Sequence, residues 1–287
     1  MPPERSGGSN LEGLSDKQIV WYEHMMKVNL GSVPNLEDFQ DIYPLSEIKK
    51  DCARVERRKQ DFSKEADSAN KIRDFRARLA EFLMARLGGT WLGGKVSKTS
   101  EFDDYTNGVD LVFETIDETG FDHHLSIDIT TGLGEAERKL RDIGLKLKNG
   151  ELSEVKYFKS QFEGVVKSKI KMSKVMLYFE NLDVLAKQYY IAKTTTDPVV
   201  KERAIKFLGG VNPRLSFITQ VVGELTVIRD FLLSDSAKRE MVDELEWLLN
   251  FFNKKKTRLQ ELSANLTKVD DIKLQSLISS TISTWRP

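Results

Sequence analysis

The sequence of 287 residues contains one cysteine, Cys52, and only three histidines. A single cysteine excludes a disulfide framework and a cysteine-based zinc site, because each needs more than one thiol. The sequence also lacks any run approaching the roughly 18 consecutive apolar residues that a membrane-spanning helix requires. We therefore expect a cytoplasmic protein of a reducing compartment, without a membrane partner.

Two further absences narrow the class of function. The glycine pairs Gly88-Gly89 and Gly93-Gly94 lack the lysine and the serine or threonine of a phosphate-binding loop, and the GxGxxG pattern does not occur. Lys and Arg together number 44, and so do Asp and Glu, so the net charge gives no general attraction to a polyanion. Nucleotide hydrolysis is unsupported, and nucleic acid would have to bind to local basic segments.

The chain is divided by changes in its apolar pattern. Pro, Gly and Ser dominate residues 1–13, which we predict to be a disordered tail, and residues 14–69 have the apolar spacing of helices. Residues 70–193 begin with an amphipathic helix that is predicted to stop at Gly88-Gly89, and then alternate between strands and helices. Residues 194–287 are predicted to be a helical region. The pattern indicates an α+β protein.

The strands of the central segment are short. They are predicted at residues 91–98, 109–114, 124–130, 154–159 and 174–179. A turn cluster at residues 117–122 joins the second strand to the third, so these two form an antiparallel hairpin. A helix is predicted at residues 134–149, with Ala136, Leu140 and Ile143 on its apolar side.

Two aspartates fall on the facing strands of this hairpin. With the turn centred near residues 119–120, Asp110 lies opposite the region of Ile129 and therefore close to Asp128. Directly opposed side chains on one face have Cβ atoms about 5 Å apart. Two carboxylates about 4 Å apart repel by roughly 4 kcal/mol at an effective dielectric of about 20. A divalent cation would relieve that repulsion, and Mg²⁺ accepts one or two carboxylates together with water and phosphate oxygens.

The order of helix, three strands, helix and strand resembles the PD-(D/E)XK nuclease superfamily. The residues that carry the resemblance are Gly108-Val109-Asp110 and Ile127-Asp128-Ile129-Thr130. The run SEFDDYTNGVDLVFE, followed by LSIDITTG, is also similar to uncharacterised bacterial proteins associated with this superfamily. The resemblance covers about a third of the chain. It implies that residues 70–193 form a restriction-endonuclease-like αβββαβ core with a mixed sheet.

The resemblance also implies an activity, namely Mg²⁺- or Mn²⁺-dependent hydrolysis of phosphodiesters in DNA or RNA. In the superfamily two acids hold the metal, and an acid on the preceding helix often assists them. On the matching positions of this sequence, Asp110 and Asp128 are the implied metal ligands and Glu81 is the assisting acid. The nucleic acid is the implied partner.

One position departs from the family pattern. Thr130 stands where the superfamily usually has a lysine that positions the attacking water, and threonine supplies no positive charge. Lys139 is our first candidate for the missing lysine, because it lies on the Ala136, Leu140 and Ile143 stripe of the next helix and should point toward the sheet rather than water. Lys146 is the second candidate. Without such a lysine, the fold would serve as an inactive module that binds nucleic acid or protein.

Structural roles remain open for the same residues. Asp110 follows Asn107-Gly108 and is also compatible with the end of a turn, while Asp128 is compatible with a hydrogen bond to a backbone amide or an ion pair with an arginine. Glu81 is compatible with an ordinary surface glutamate, and Lys139 with a side chain extended along its apolar neighbours.

Other polar residues are interpreted as structural. Asp103 and Asp104 are predicted to form a turn, with a contribution of one of them to a second ion as the alternative. His123-His124 are predicted to lie at a strand edge rather than in a metal site. The lysines from Lys167 to Lys174 form a basic run, for which a solvated surface is the simplest interpretation and contact with a DNA backbone the alternative. The apolar residues from Met241 to Leu266 have a heptad-like spacing, which favours packing against a helix at residues 214–233 of the same chain over a dimeric coiled coil. A helical assembly protein or a protein partner at these helices is the further alternative.

Overall fold

The computed structural model describes residues 13–28, 33–64, 68–234 and 241–263. The helices are α1 Asp16–Val28, α2 Leu45–Lys64, α3 Ser68–Leu92, α4 Leu133–Lys148, α5 Leu182–Thr194, α6 Pro198–Leu208, α7 Val211–Leu233 and α8 Val242–Ser263. The strands are β1 Lys95–Lys98, β2 Leu111–Ile116, β3 Asp122–Thr130, β4 Ser153–Val155, β5 Phe158–Lys159, β6 Val166–Lys167, β7 Ile170–Met172 and β8 Lys174–Tyr178. The predicted α+β class is confirmed. Residues 1–12 of the predicted tail and the helix predicted near the C-terminus lie outside the described residues.

The largest sheet has four strands in the order β1-β2-β3-β8. The pairs β1–β2 and β2–β3 are antiparallel, whereas β3 and β8 are parallel and are connected through α4. Helix α3 packs against β1, and α4 packs against β3 and β8. Four short strands between α4 and β8 form two separate antiparallel pairs, β4–β7 and β5–β6.

Strand β3 lies in the middle of this sheet and is covered on both faces. Its residues alternate, as predicted, between an apolar set and a polar set. All six side chains are buried: Leu125, Ile127 and Ile129 in the first set, and Ser126, Asp128 and Thr130 in the second. Because a buried carboxylate needs charged or hydrogen-bonding partners, Asp128 requires them from neighbouring elements.

The prediction that α3 ends at Gly88-Gly89 was wrong. The helix continues through Trp91 to Leu92 and is followed by Gly93, whose φ of +79° is a conformation that glycine adopts readily. At Gly89 an added Cβ atom would lie 2.9 Å from the carbonyl oxygen of Gly94. The glycine therefore allows the chain to turn back closely on the helix, and β1 starts only at Lys95.

Two other strand predictions need correction. Strand β2 begins at Leu111 rather than at residue 109. Leu111 pairs with Ile127, which centres the hairpin on residue 119, within the predicted range. The strand predicted at residues 154–159 is divided between β4 and β5. Backbone N–H groups of Lys156 and Tyr157 between them donate to the carboxylate of Asp103, which replaces strand pairing there.

The main hydrophobic core contains residues of the sheet together with residues of helices that precede it and follow it in the sequence. Tyr22 of α1, Leu83 of α3 and Leu248 of α8 belong to the same buried cluster as the apolar face of β3. Helices α7 and α8 pack against each other, which confirms the predicted packing within the chain. No helix in the described ranges is long and apolar enough to cross a membrane.

Side chains of α7 complete the outer edge of β8. The Gln220 side chain accepts a hydrogen bond from the Tyr178 N–H at 2.9 Å and donates one to the Tyr178 carbonyl at 3.2 Å. One oxygen of Glu224 accepts a hydrogen bond from the Met176 N–H at 2.7 Å. Glu224 is fully buried, and this burial raises its pKa well above the usual range even though the Met176 hydrogen bond opposes the shift. The folded protein therefore retains the Glu224 proton to a higher pH than the unfolded chain does.

We predict that Glu224→Gln stabilises the fold increasingly as the pH rises. Above the ordinary glutamate pKa the unfolded chain releases the proton that the folded chain retains, so the free energy of unfolding of the wild type falls with pH. The amide oxygen of glutamine can still accept the hydrogen bond from the Met176 N–H, but the side chain no longer binds or releases a proton. Urea unfolding between pH 4 and pH 8 should show the two proteins diverging as the pH rises. Glu202→Gln, at an exposed position, is the control, and parallel pH curves for Glu224→Gln and wild type would contradict the prediction.

Candidate functional site

Asp110 and Asp128 meet where β2 begins beside β3. The Asp110 N–H donates to the Ile127 carbonyl at 3.2 Å, and its carboxylate Oδ2 accepts from the Ile129 N–H at 2.6 Å. The carboxylate of Asp110 therefore lies over the backbone of β3, next to Asp128. The two side chains are only 11% and 7% exposed.

Two lysines pair with Asp128, one at each carboxylate oxygen. Lys139 of α4 forms an ion pair with Oδ1, and Lys174 of β8 forms one with Oδ2 at 2.8 Å. The Lys139 amine also donates to the Ile129 carbonyl at 2.6 Å and lies 3.9 Å from Oδ2 of Asp110. The Lys174 amine also donates to the Gly108 carbonyl. The lysines thus connect α4, β8 and the start of β2 to one buried carboxylate.

Local structure explains how each lysine reaches the site. Lys139 follows Ala136 by three residues on α4, so both lie on the side of the helix that faces the sheet. Lys174 is the first residue of β8 and pairs in register with Ser126, while Asp128 pairs with Met176. Because side chains two residues apart share a face of a strand, Lys174 and Asp128 project from the same side of the sheet.

A π-helical turn, Asp103–Asn107, leads into the site. Gly108 ends this turn with φ +63°, which glycine tolerates. Asp103 is buried, and its carboxylate accepts hydrogen bonds from Ser100 Oγ and Asn107 Nδ2, both at 2.7 Å. The interpretation of Asp103 as a turn former agrees with these contacts. Asp104 also lies in this turn, where its carbonyl accepts from the Gly108 N–H. Burial and then the charge of Glu81 raise the pKa of Asp104 to about 7.

The two central aspartates differ in their electrostatics. Burial, followed by the charge of Asp128, raises the pKa of Asp110 well above the usual range against the opposing effect of Lys139. Burial also raises the pKa of Asp128, but Lys174 and Lys139 outweigh it, and the pKa of Asp128 is lowered. Burial lowers the pKa of Lys139, but Asp110 and Asp128 outweigh it and the net shift is upward. Asp128 is therefore ionised and Lys139 protonated at neutral pH.

Glu81 of α3 lies beside this cluster and has a partner of its own. Its Oε2 forms an ion pair with the amine of Lys98 on β1 at 2.8 Å. Burial lowers the pKa of Lys98, but the charge of Glu81 outweighs this effect and raises it. The charge of Glu81 also contributes to the raised pKa values of Asp104 and Asp110. The structure thus brings the predicted helical acid to the edge of the site.

Two other sequence candidates contact different groups. The hydroxyl of Thr130 exchanges hydrogen bonds with the backbone of Gly132, both at 3.3 Å, at the start of α4. Lys146 is half-buried, and its pKa is lowered first by burial and then by the charge of Lys174. In the described part of the chain, the Lys146 amine forms no ion pair with Asp110 or Asp128.

The carboxylate oxygens of Asp110 and Asp128 are chemically suited to a hard divalent cation. Carboxylate oxygens are the protein ligands that Mg²⁺ and Mn²⁺ prefer, and Mg²⁺ is commonly bound by one or two of them. The repulsion that raises the pKa of Asp110 beside Asp128 is the kind that a bound cation relieves. Among the described residues, no group of three or more His, Cys, Asp or Glu side chains is arranged to hold a metal ion.

Sequence reasoning overlooked Lys98 and Lys174 as partners of the acids. Lys174 stands directly before the apolar run of β8, and a lysine at the start of a buried strand is a signal that a buried acid lies nearby. Lys98 gives no comparable local signal, because its partner Glu81 lies on a different element.

The other predicted polar features serve structural roles. The His123 ring stacks on Trp247 with centroids 3.5 Å apart and its Nε2 lies 3.2 Å from Asp117. In the predicted basic run, Lys167 is paired with Asp122 and Lys169 with Glu154, while Lys174 is in the carboxylate cluster. These pairs neutralise most of the run, so it does not form a continuous basic surface.

Comparisons with protein families, with curated proteins and with solved structures each found no match for this chain.

We predict that Lys174→Met destabilises the fold by about 3 kcal/mol, because it removes one of the two cations that pair with the buried Asp128 carboxylate and leaves Oδ2 without its charged partner. Adding Asp128→Asn in the same chain should restore part of the loss, since the carboxylate charge that Lys174 balanced is then removed. Urea unfolding measures both effects. The control is Lys171→Met on the neighbouring strand β7, where the side chain is exposed. If the stability losses of Lys174→Met and Asp128→Asn simply add in the double variant, the predicted coupling between Lys174 and Asp128 is contradicted.

Proposed function

We propose that this protein is a divalent-metal-dependent nuclease with a restriction-endonuclease-like, PD-(D/E)XK core, acting on DNA or RNA. The observation that supports this best is the meeting of Asp110, Asp128 and Lys139 on one side of the mixed sheet. These are an acid directly before β2, an acid on the adjacent strand β3 and a lysine from the following helix. The order α3, β1, β2, β3, α4, β8 around them also agrees with that core.

Asp110 and Asp128 would hold the cation, with Glu81 assisting from α3. A bound Mg²⁺ or Mn²⁺ would supply Lewis-acid polarisation of the phosphodiester and a more acidic water. The chain itself provides a site that is poorly accessible to water, since Asp128 is buried and the Asp110 side chain is only 11% exposed. Electrostatic interactions gain strength in such surroundings.

Lys139 would take the role of the lysine that is missing at Thr130. Its pKa is raised, so the amine is protonated at neutral pH and cannot accept a proton from water. Its contribution is a fixed positive charge with N–H donors, which stabilises negative charge developing on a phosphate. Its contacts with Asp128 and with the Ile129 carbonyl hold this charge in place.

We predict that Asp110→Asn, Asp128→Asn and Lys139→Met each lower metal-dependent cleavage by about 100-fold or more. The assay is incubation of the purified protein with labelled single-stranded DNA, duplex DNA and RNA in Mg²⁺, Mn²⁺ or EDTA. Asp142→Asn and Lys148→Met, which alter exposed positions on α4, are the matched controls and should cleave like the wild type. Cleavage that persists in EDTA, or that the three site variants retain, would refute the proposal.

A second candidate function is a nucleic-acid or protein interaction module without catalysis. It is favoured by one observation, namely that both oxygens of Asp128 are already engaged by lysines, as in a purely structural ion cluster. The two candidates differ in metal binding. Calorimetric titration with Mn²⁺ should give binding that Asp128→Asn weakens if the nuclease proposal holds, and no binding by either protein if the cluster is structural.

A further inference from the structure

A cavity of about 540 Å³ lies between α1, α3 and β1, beside the carboxylate cluster. Its size falls within the range of about 300 to 1,000 Å³ that is usual for small-molecule sites. We refer to this cavity as the α1–α3 pocket. Asp110 and Asp128 are not among its lining residues, so it is separate from the site described above.

The charges around the α1–α3 pocket are mainly positive. Lys27 of α1, Arg78 and Arg86 of α3 and Lys98 of β1 line it, and Glu23 is the acid among its lining residues. Lys98 is paired with Glu81, but within the described ranges Lys27, Arg78 and Arg86 form no ion pair with a carboxylate. Such a set of unneutralised cations is suited to an anionic ligand.

Two of these cations form a regular row on α3. Arg78, Phe82 and Arg86 are spaced four residues apart, which places them along one face of the helix. At about 1.5 Å per residue the two arginines are roughly 12 Å apart along the helix axis. The Arg86 guanidinium lies over the Phe82 ring, 5.7 Å from its centroid. A ligand with more than one anionic group, extended along α3, could contact both arginines.

The floor of the pocket is apolar. Met26, Phe82, Ala85 and Val96 line it together with the polar groups of Ser97 on β1. Strand β1 is at the edge of the four-stranded sheet, so its outer backbone groups are not used by another strand of that sheet. An apolar floor next to polar edges and cationic walls suits a ligand with a flat aromatic part and attached phosphates.

Lys98 connects the pocket to the carboxylate cluster. It lines the pocket, and its amine lies 2.8 Å from Glu81 Oε2. Burial lowers the pKa of Lys98, and the charge of Glu81, followed by those of Asp104 and Asp110, raises it. A chain-like ligand could therefore occupy the pocket with one unit while the next unit reaches the aspartates.

We propose that the α1–α3 pocket binds an unpaired nucleotide of a single-stranded nucleic acid, next to the phosphodiester at Asp110 and Asp128. The base contacts the apolar floor, and the flanking phosphates contact Arg78 and Arg86. A duplex keeps its bases paired and stacked, so the pocket selects single strands. The placement of the neighbouring phosphodiester rests on the proposed nuclease function, whereas strand binding by the pocket does not.

The test is fluorescence anisotropy in EDTA, where metal-dependent cleavage cannot occur. A short labelled DNA strand, the same strand annealed to its complement and an RNA strand of the same sequence are titrated with the full chain. We expect a single strand to bind more tightly than the duplex, and the better of the two strands to identify the preferred sugar. The double variant Arg78→Glu/Arg86→Glu should weaken strand binding by about tenfold or more. Its salt dependence should fall by about 0.7 in slope for each lost phosphate contact.

Two further variants separate the pocket from general charge effects. Ala85→Phe fills the cavity without changing the charge and should also weaken strand binding. Arg73→Glu alters the same charge at an exposed position of α3 outside the pocket and should bind like the wild type. Thermal unfolding shows that each variant is folded before it is compared.

The outcomes distinguish this proposal from the nuclease proposal. Equal or tighter binding of the duplex, or unchanged strand binding by folded Ala85→Phe or by the arginine variant, would overturn the pocket assignment. If the pocket variants lose strand binding but no nucleic acid is cleaved with Mg²⁺ or Mn²⁺, the pocket stands and the hydrolysis fails. If cleavage depends on Asp110 while the pocket variants bind single strands normally, the nuclease proposal stands and the pocket assignment fails.

Discussion

The burial of the Asp128 carboxylate is the constraint on which the arrangement of the sheet and its neighbours depends. Strand β3 is covered on both faces, and removing an ionised carboxylate from water costs several kcal/mol unless it is paired and hydrogen-bonded. Lys139 and Lys174 meet this requirement together, one from α4 and one from β8. Their further bonds to the Ile129 and Gly108 carbonyls connect the crossover helix, the parallel strand and the entry to β2 at one point.

The same need to satisfy buried polar groups recurs at the margins of the sheet. Gln220 and Glu224 of α7 bond to the backbone of β8, where a further strand would otherwise be required. Asp103 satisfies the backbone between β4 and β5 in the same way. Side chains from helices and turns thus complete the hydrogen bonding of a small sheet, and this allows the helices to pack closely against its edge.

These requirements also give the site its chemical asymmetry. The lysines keep Asp128 ionised, whereas burial and the nearby negative charge favour the protonated form of Asp110. Lys139 remains a cation between them. A buried carboxylate pair with a fixed cation is consistent with both a structural ion cluster and a metal-dependent hydrolase. The cationic α1–α3 pocket, joined to the cluster through Lys98, favours a role in which an anionic chain is bound there.

The sequence by itself determined the α+β class, the order of the main elements and the placement of Asp110 near Asp128, because hydrophobic periodicity and a short hairpin turn are local properties. It also indicated that Lys139 faces the sheet. The end of α3 was mispredicted, since Gly89 serves a close approach to Gly94 rather than helix termination. Only the tertiary structure decided that Lys174 pairs with Asp128, 46 positions earlier in the chain. Such a contact depends on the parallel β3–α4–β8 crossover, which local periodicity does not specify.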